Sequence, residues 1–132
     1  MDWNVSETCI WFVPPQDNRY ACACVGFDDF FPQGGVNDQG LFYDCTLCPY
    51  LEVINSSDKP QVNGFLGEYC LERCATIGEV LAIYETYNLN GMETYQIMFV
   101  DRTGYSVIIE GDEIIRKHDF YQITLIRIFL DS

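Results

Sequence analysis

Basic residues are scarce in this chain. Seven lysines and arginines stand against 20 aspartates and glutamates, with one histidine, so the formal charge at neutral pH is −13. Such a polyanion repels phosphate backbones and anionic lipid, and neither nucleic acid nor a membrane is an expected partner. Long apolar runs are also missing, since none approaches the ~20 residues that span a bilayer. The opening Met1-Asp2-Trp3-Asn4 has neither the basic nor the apolar part of an export signal, which points to a cytoplasmic, reducing setting. The lone His118 sits in the polar turn Lys117-His118-Asp119 and reads as a solvated loop residue, so no Ser/His/Asp set can be assembled around it. The acidic pairs Asp28-Asp29 and Asp112-Glu113 fall in turn-like segments and lack the spacing of a paired-carboxylate site.

What is present argues for folding. Hydrophobic residues make up 48% and aromatics 15% of 132 residues, enough to bury the core of a single domain and too few residues for two. Seven cysteines are many for this length, and an odd count leaves at least one thiol unpaired. In a reducing compartment all seven are expected free. Asn4-Val5-Ser6 and Asn55-Ser56-Ser57 match a glycosylation acceptor, which matters only in a secreted chain.

Ile10 to Val13 reads as a strand stopped by Pro14-Pro15, and Tyr20 to Phe27 as a second strand completing a hairpin. Asp28 to Gly35 looks like loop, Asn37-Asp38-Gln39-Gly40 a turn, and Leu41 to Leu47 a third strand. Pro49 to Asn63 has loop composition. A helix is expected from Asn63 or Gly64 to about Arg73. Thr76, with Glu79 three residues on, forms a capping box for a second helix whose Ile77, Val80, Leu81 and Tyr84 share one stripe. After a stop at Asn88 to Gly91 come strands at Tyr95 to Val100, Tyr105 to Glu110, Glu113 to Lys117 and Tyr121 to Ile128. Three strands, two helices and four strands describe an α+β fold, with helices packed on a largely antiparallel sheet.

Two constellations could carry chemistry. Gly34 to Leu41 reads GGVNDQGL: two glycines allow a close backbone approach, and Asn37 offers an amide at a sharp turn, where an N–H could donate to a developing oxyanion. The same residues also suit a plain hairpin turn in which Asn and Gly accept positive φ. Cys45-x-x-Cys48 with Cys70-x-x-x-Cys74 has the spacing of a four-thiolate zinc site, the last two at i, i+4 on a helix face. Yet Cys45 to Cys48 lies in an apolar strand without glycine knuckles, so core thiols are the simpler reading, and no metal or cofactor is assigned. A thioredoxin-like role for that pair is weaker still, because no helix begins there.

GGVNDQGL, followed by Phe42-Tyr43-Asp44, resembles a segment of the choloylglycine hydrolase and penicillin V acylase family, hydrolases of linear amide C–N bonds with the N-terminal nucleophile fold. Ile10 to Pro15, Phe27 to Gln33, the helix beginning Cys74-Ala75-Thr76 and Tyr121-Gln122-Ile123-Thr124 are similar in order and spacing. The resemblance implies that residues 1–132 form one partial domain of an αββα sandwich acting on a small-molecule amide. In that family the nucleophile is an amino-terminal cysteine whose α-amino group acts as base. By the same resemblance Asp2 orients the amine and Asn37 helps the oxyanion. The arginine, asparagine and cysteine of the motif fall upstream of Met1, and Thr124-Leu125-Ile126-Arg127 departs from a second active-site asparagine. A truncated chain, inactive alone and prone to self-association through an exposed sheet edge, is the resulting expectation. Two alternatives stand beside it. Removal of Met1 to Thr8 would expose Cys9 as a nucleophile, and a non-catalytic, cysteine-rich interaction or zinc-binding module would need no nucleophile at all.

Overall fold

The computed structural model of the chain describes residues 7–117. The expected Tyr121 to Ile128 strand, Asp2, His118 and Thr124 lie outside those residues. Nine strands and two helices follow in the order β1 (Cys9–Val13), β2 (Cys22–Gly26), β3 (Pro32–Asn37), β4 (Phe42–Leu47), β5 (Gln61–Phe65), α1 (Leu66–Arg73), α2 (Ile77–Thr86), β6 (Asn88–Asn90), β7 (Tyr95–Val100), β8 (Ser106–Glu110) and β9 (Glu113–Lys117). Seven form one antiparallel sheet in the order β1-β2-β3-β4-β7-β8-β9. β5 and β6 make a separate parallel pair. The α+β class expected from the sequence is the class observed.

Because side chains alternate across a strand, register sorts the sheet into two faces. One carries Cys24, Tyr43, Cys45, Phe99, Ile97, Val107 and Ile109, all buried. Helices cover it: α1 packs on β3, β4 and β5 and touches α2. Helix α2 is pinned at both ends, its first N–H (Ile77) donating to Asp101 Oδ2 at 3.1 Å and its Tyr84 hydroxyl donating to the Gly111 carbonyl at 2.6 Å. The expected capping box is present, with Thr76 Oγ1 accepting the Glu79 N–H at 3.2 Å and the Glu79 carboxylate accepting the Ala75 N–H at 3.3 Å.

The opposite face is largely apolar and is exposed along β1 to β4, while Ser106 and Ile108 of β8 are buried on it. Register places two rows across it: Phe12, Ala23, Val36, Phe42, Val100, Ser106 and Lys117, and below them Ile10, Val25, Gly34, Asp44, Met98, Ile108 and Ile115. Phe12 is 79% and Ile10 65% exposed, with Val25, Val36, Phe42 and Ile115 also in the exposed class. Scattered apolar residues on a surface are ordinary, but a contiguous sheet face of them is not.

Three expectations change. Pro32 to Gly35 belongs to strand β3 rather than to a loop. Gly35 lies where a Cβ would come within 2.8 Å of Leu71 Cδ2 and 2.7 Å of the Ala23 carbonyl, so close packing selects glycine inside a strand. Helix α1 begins at Leu66, after Gly64 at φ 93, and its N-cap Phe65 makes no side-chain cap. The segment before it pairs as β5 with β6, where a loop and a helix stop were expected.

Candidate functional site

The GGVNDQGL segment turns from β3 into β4 at the end of the sheet that α1 overhangs. Asn37 is the last residue of β3 and is 4% exposed. Its Oδ1 accepts the backbone N–H groups of Gln39 at 3.0 Å and Leu41 at 2.9 Å, closing the turn over Gly40, whose φ is 88. Its Nδ2 donates to the Leu71 carbonyl at 2.9 Å and the Cys74 carbonyl at 2.7 Å, at the C-terminal end of α1. All four hydrogen-bonding positions of the amide are thus filled, and the reverse orientation would set N–H against N–H and C=O against C=O. Helix C-termini leave their last carbonyls without intrahelical donors, and this side chain supplies two.

The geometry bears directly on the oxyanion role that the resemblance implies for Asn37. Both of its N–H groups are committed to α1, so donation to a substrate would require one of these bonds to break. What Asn37 does in this arrangement is clasp the β3–β4 turn to the helix. The glycines around it serve the same contact: Gly35 lets Leu71 rest on the strand, and Gly67, in α1, lies so close to the Tyr43 ring that a Cβ there would overlap it. The Tyr43 hydroxyl in turn donates to the Pro32 carbonyl at 2.9 Å.

Beside Asn37, on the open face, an apolar depression of ≈ 430 Å³ is lined by Phe12, Pro14, Ala21, Ala23, Val36 and Asp38 among others. Phe30 stands edge-on to Trp11 with ring centroids 5.3 Å apart, in a left-handed backbone conformation of φ 56. That conformation is unusual for a bulky residue. Phe31, its neighbour, packs instead on Phe65 at 5.3 Å. The aromatic stretch Phe27 to Phe31 therefore splits between solvent-facing and core roles.

The cysteines do not assemble a centre. Among the described residues no three His, Cys, Asp or Glu side chains converge to hold a metal ion, so Cys45, Cys48, Cys70 and Cys74 do not form the four-thiolate set that their spacing allowed. All seven are free thiols in this structure. Burial pushes the Cys45 thiol up to about 12, helped by the Asp44 carboxylate next to it. Burial, and then its neighbour Cys22 at 3.9 Å between sulfurs, does the same to Cys24, again to about 12. Thiols held so far above neutrality are packing groups rather than nucleophiles. Cys9, half-buried at the start of β1, donates from Sγ toward the Glu7 carbonyl at 3.6 Å.

Every buried side-chain nitrogen and oxygen of the described residues has a hydrogen-bond partner. The best-organised buried carboxylate, Asp101, is spent on structure. Burial works to raise its pKa, but hydrogen bonds from the Thr103 hydroxyl and from the Ile77, Thr103 and Tyr105 N–H groups outweigh this and hold it below the usual carboxylate range. Nothing in the local pattern around Asp101 marks this role, since Asp-x-Thr-Gly reads only as a turn.

This sheet-and-helix arrangement has counterparts in the solved structures of an acylase and a hydrolase. The penicillin V acylase from Agrobacterium tumefaciens superposes with a TM-score of 0.62 at 18% identity, over 83% of this chain and 38% of its own. A variant of the conjugated bile acid hydrolase from Clostridium perfringens gives 0.64 at 20% identity, over 83% of this chain and 43% of its own. At these identities the likeness is one of fold. The chain spans about two fifths of the length of these two structures. No family model matches the sequence, and no curated protein matches it. Among the described residues no helix is long and apolar enough to cross a membrane.

Proposed function

We propose that this chain is part of, or a degenerate relative of, an amidohydrolase of linear C–N bonds, forming one sheet and its helix layer and inactive by itself. The observation that carries the reading is the fold match over 83% of the chain combined with a sheet face left apolar and exposed along β1 to β4. In the working enzyme a second sheet would close that face into an αββα sandwich. A cysteine thiolate at a chain terminus would attack the amide carbonyl and release the amine, and water would then hydrolyse the acyl-thioester. Asp2 is the proposed orienting group for the terminal amine. Asn37 is proposed to act on the oxyanion side, and with both N–H groups on α1 its contribution there is to fix the turn rather than to donate.

Penicillin V and a conjugated bile acid, the substrates in the neighbours' names, are the probes of choice. The purified chain is expected to release no acid product above a buffer blank. Turnover that disappears in Cys9→Ala would instead identify Cys9 as an exposed nucleophile and overturn the reading. Mapping the 5′ end of the transcript supplies an independent check: the reading requires an in-frame cysteine followed by Arg-Asn upstream of Met1, and a transcript without them removes the truncated form of the proposal.

A further inference from the structure

The two outer strands of the sheet are finished differently. β9 carries Glu113, Arg116 and Lys117, and charges on an outer strand discourage another strand from pairing with it. β1 has no such protection. It reads Cys-Ile-Trp-Phe-Val, without charge, proline or glycine, and it pairs with β2 from Cys9↔Gly26 to Val13↔Cys22 with no bulge. Among the described residues β2 is its single neighbour in the sheet, so one row of its backbone N–H and C=O groups points outward.

The side chains of β1 lack cover on both faces. On the helix side the inner strands bury Cys24, Tyr43 and Phe99 almost completely, whereas Cys9, Trp11 and Val13 of β1 are only half-buried. On the other side Ile10 and Phe12 stand largely in solvent. A strand laid alongside β1 would satisfy the outward backbone groups and cover both rows. β1 is itself complementary to that need. Set antiparallel to a second β1 about a two-fold axis at Trp11, it brings Ile10 opposite Phe12 and Cys9 opposite Val13 of the other copy, twice each, with Trp11 meeting Trp11. Aromatic residues facing β-branched ones are favourable cross-strand pairs, and no charge faces a like charge at this seam. The net charge of −13 lies elsewhere on each chain, and at physiological salt its repulsion is screened beyond about 8 Å.

We propose that this chain pairs with a second copy of itself through β1, antiparallel and centred on Trp11, so that two seven-stranded sheets become one. The pairing adds on the order of four to six backbone hydrogen bonds. Two five-residue strands bury less than the roughly 800 Å² per partner of a standard interface, so the dimer is reversible and concentration-dependent. It does not depend on the amidohydrolase reading.

Sedimentation at neutral pH and roughly 0.1 mM chain, a concentration suited to a small interface, is expected to show wild type in equilibrium with a species of twice 15.2 kDa. Phe12→Lys sets a lysine against Ile10 on both sides of the axis and should weaken association about tenfold, two cross-strand pairs being lost per dimer. Val36→Lys, on the same exposed face but two strands in from the edge, should leave it unchanged. A monomeric wild type overturns the proposal. So does a Val36→Lys variant weakened as much as Phe12→Lys, since the chains would then meet face to face. The register has its own check, because Cys9 of one copy lies opposite Val13 of the other. Air oxidation of Val13→Cys, in which two thiols pass two electrons and two protons to oxygen, should give a covalent dimer linking Cys9 to position 13 of the other chain. No linkage beyond that of wild type oxidised in parallel overturns the pairing. Should Val13→Cys fail to fold by circular dichroism, the sedimentation comparison of Phe12→Lys with Val36→Lys decides.

Discussion

Replacing Asn37 tests whether the GGVNDQGL turn is a clasp. Alanine at this position removes four hydrogen bonds, two from Nδ2 to the Leu71 and Cys74 carbonyls and two to Oδ1 from the Gln39 and Leu41 N–H groups. At about 1 kcal/mol net for each bond, and somewhat more where a buried group is left without a partner, the loss is roughly 3–5 kcal/mol. That is a large share of the 5–15 kcal/mol typical of a domain. Aspartate at the same place is more discriminating. It keeps the two acceptor contacts but points a carboxylate oxygen at two carbonyls. The introduced carboxyl therefore titrates above its unfolded value of about 3.9. A raised folded-state pKa gives stability that is fully present below about pH 4 and is lost as pH rises through the folded value. Urea titrations followed by circular dichroism should show Asn37→Ala with its midpoint lowered by about 2 M. Asn37→Asp should be strongly destabilised at pH 7 and recover part of that loss near pH 4. Variants within 1 kcal/mol of wild type, or an aspartate variant whose deficit ignores pH, would refute the clasp.

Four further outcomes are expected. Gly67→Ala drives a methyl group into the Tyr43 ring and should cost about 1–3 kcal/mol in the same urea assay. Thr76→Ala removes the α2 cap and should cost about 1 kcal/mol. Asp101 has a lowered pKa, so its contribution is present above the unfolded carboxylate value and lost as pH falls through the folded one; Asp101→Asn should flatten the acid limb of the stability curve. Under a neutral-pH thiol titration of the native chain, Cys9 and Cys48 should react first, with the buried Cys22, Cys24, Cys45, Cys70 and Cys74 silent until denaturant is added.

Helix α2 was legible from its own residues, because the Thr76–Glu79 cap and the stripe from Ile77 to Tyr84 are local signals that the packing reinforces. Strand β3 was not legible. Pro32 and Gly34-Gly35 have loop chemistry in isolation, and only the approach of Leu71 from a helix far along the chain explains why glycine is needed there. The three-residue β6 and its parallel partner β5 carry too little pattern to announce a pairing. The site divides in the same way. The motif around Asn37 stood out in the sequence, and its resemblance pointed to the α+β class and to the acylase and hydrolase structures that this fold resembles. The partners of the amide are carbonyls at Leu71 and Cys74, however, and no local pattern encodes contacts made across that distance.

The strand order has a consequence for how the chain folds. β1 to β4 form one meander and β7 to β9 another, each built from neighbours in sequence, and the two meet only where β4 pairs with β7. That seam joins Leu47 to Tyr95 at one end and Phe42 to Val100 at the other, with the helices in the intervening loop. Closing such a loop costs entropy before its contacts return any stability, so seam formation is the natural bottleneck of the folding rate. Substitutions along the seam, at Cys45 or Ile97, should slow folding, while those at the outer hairpins should mainly hasten unfolding.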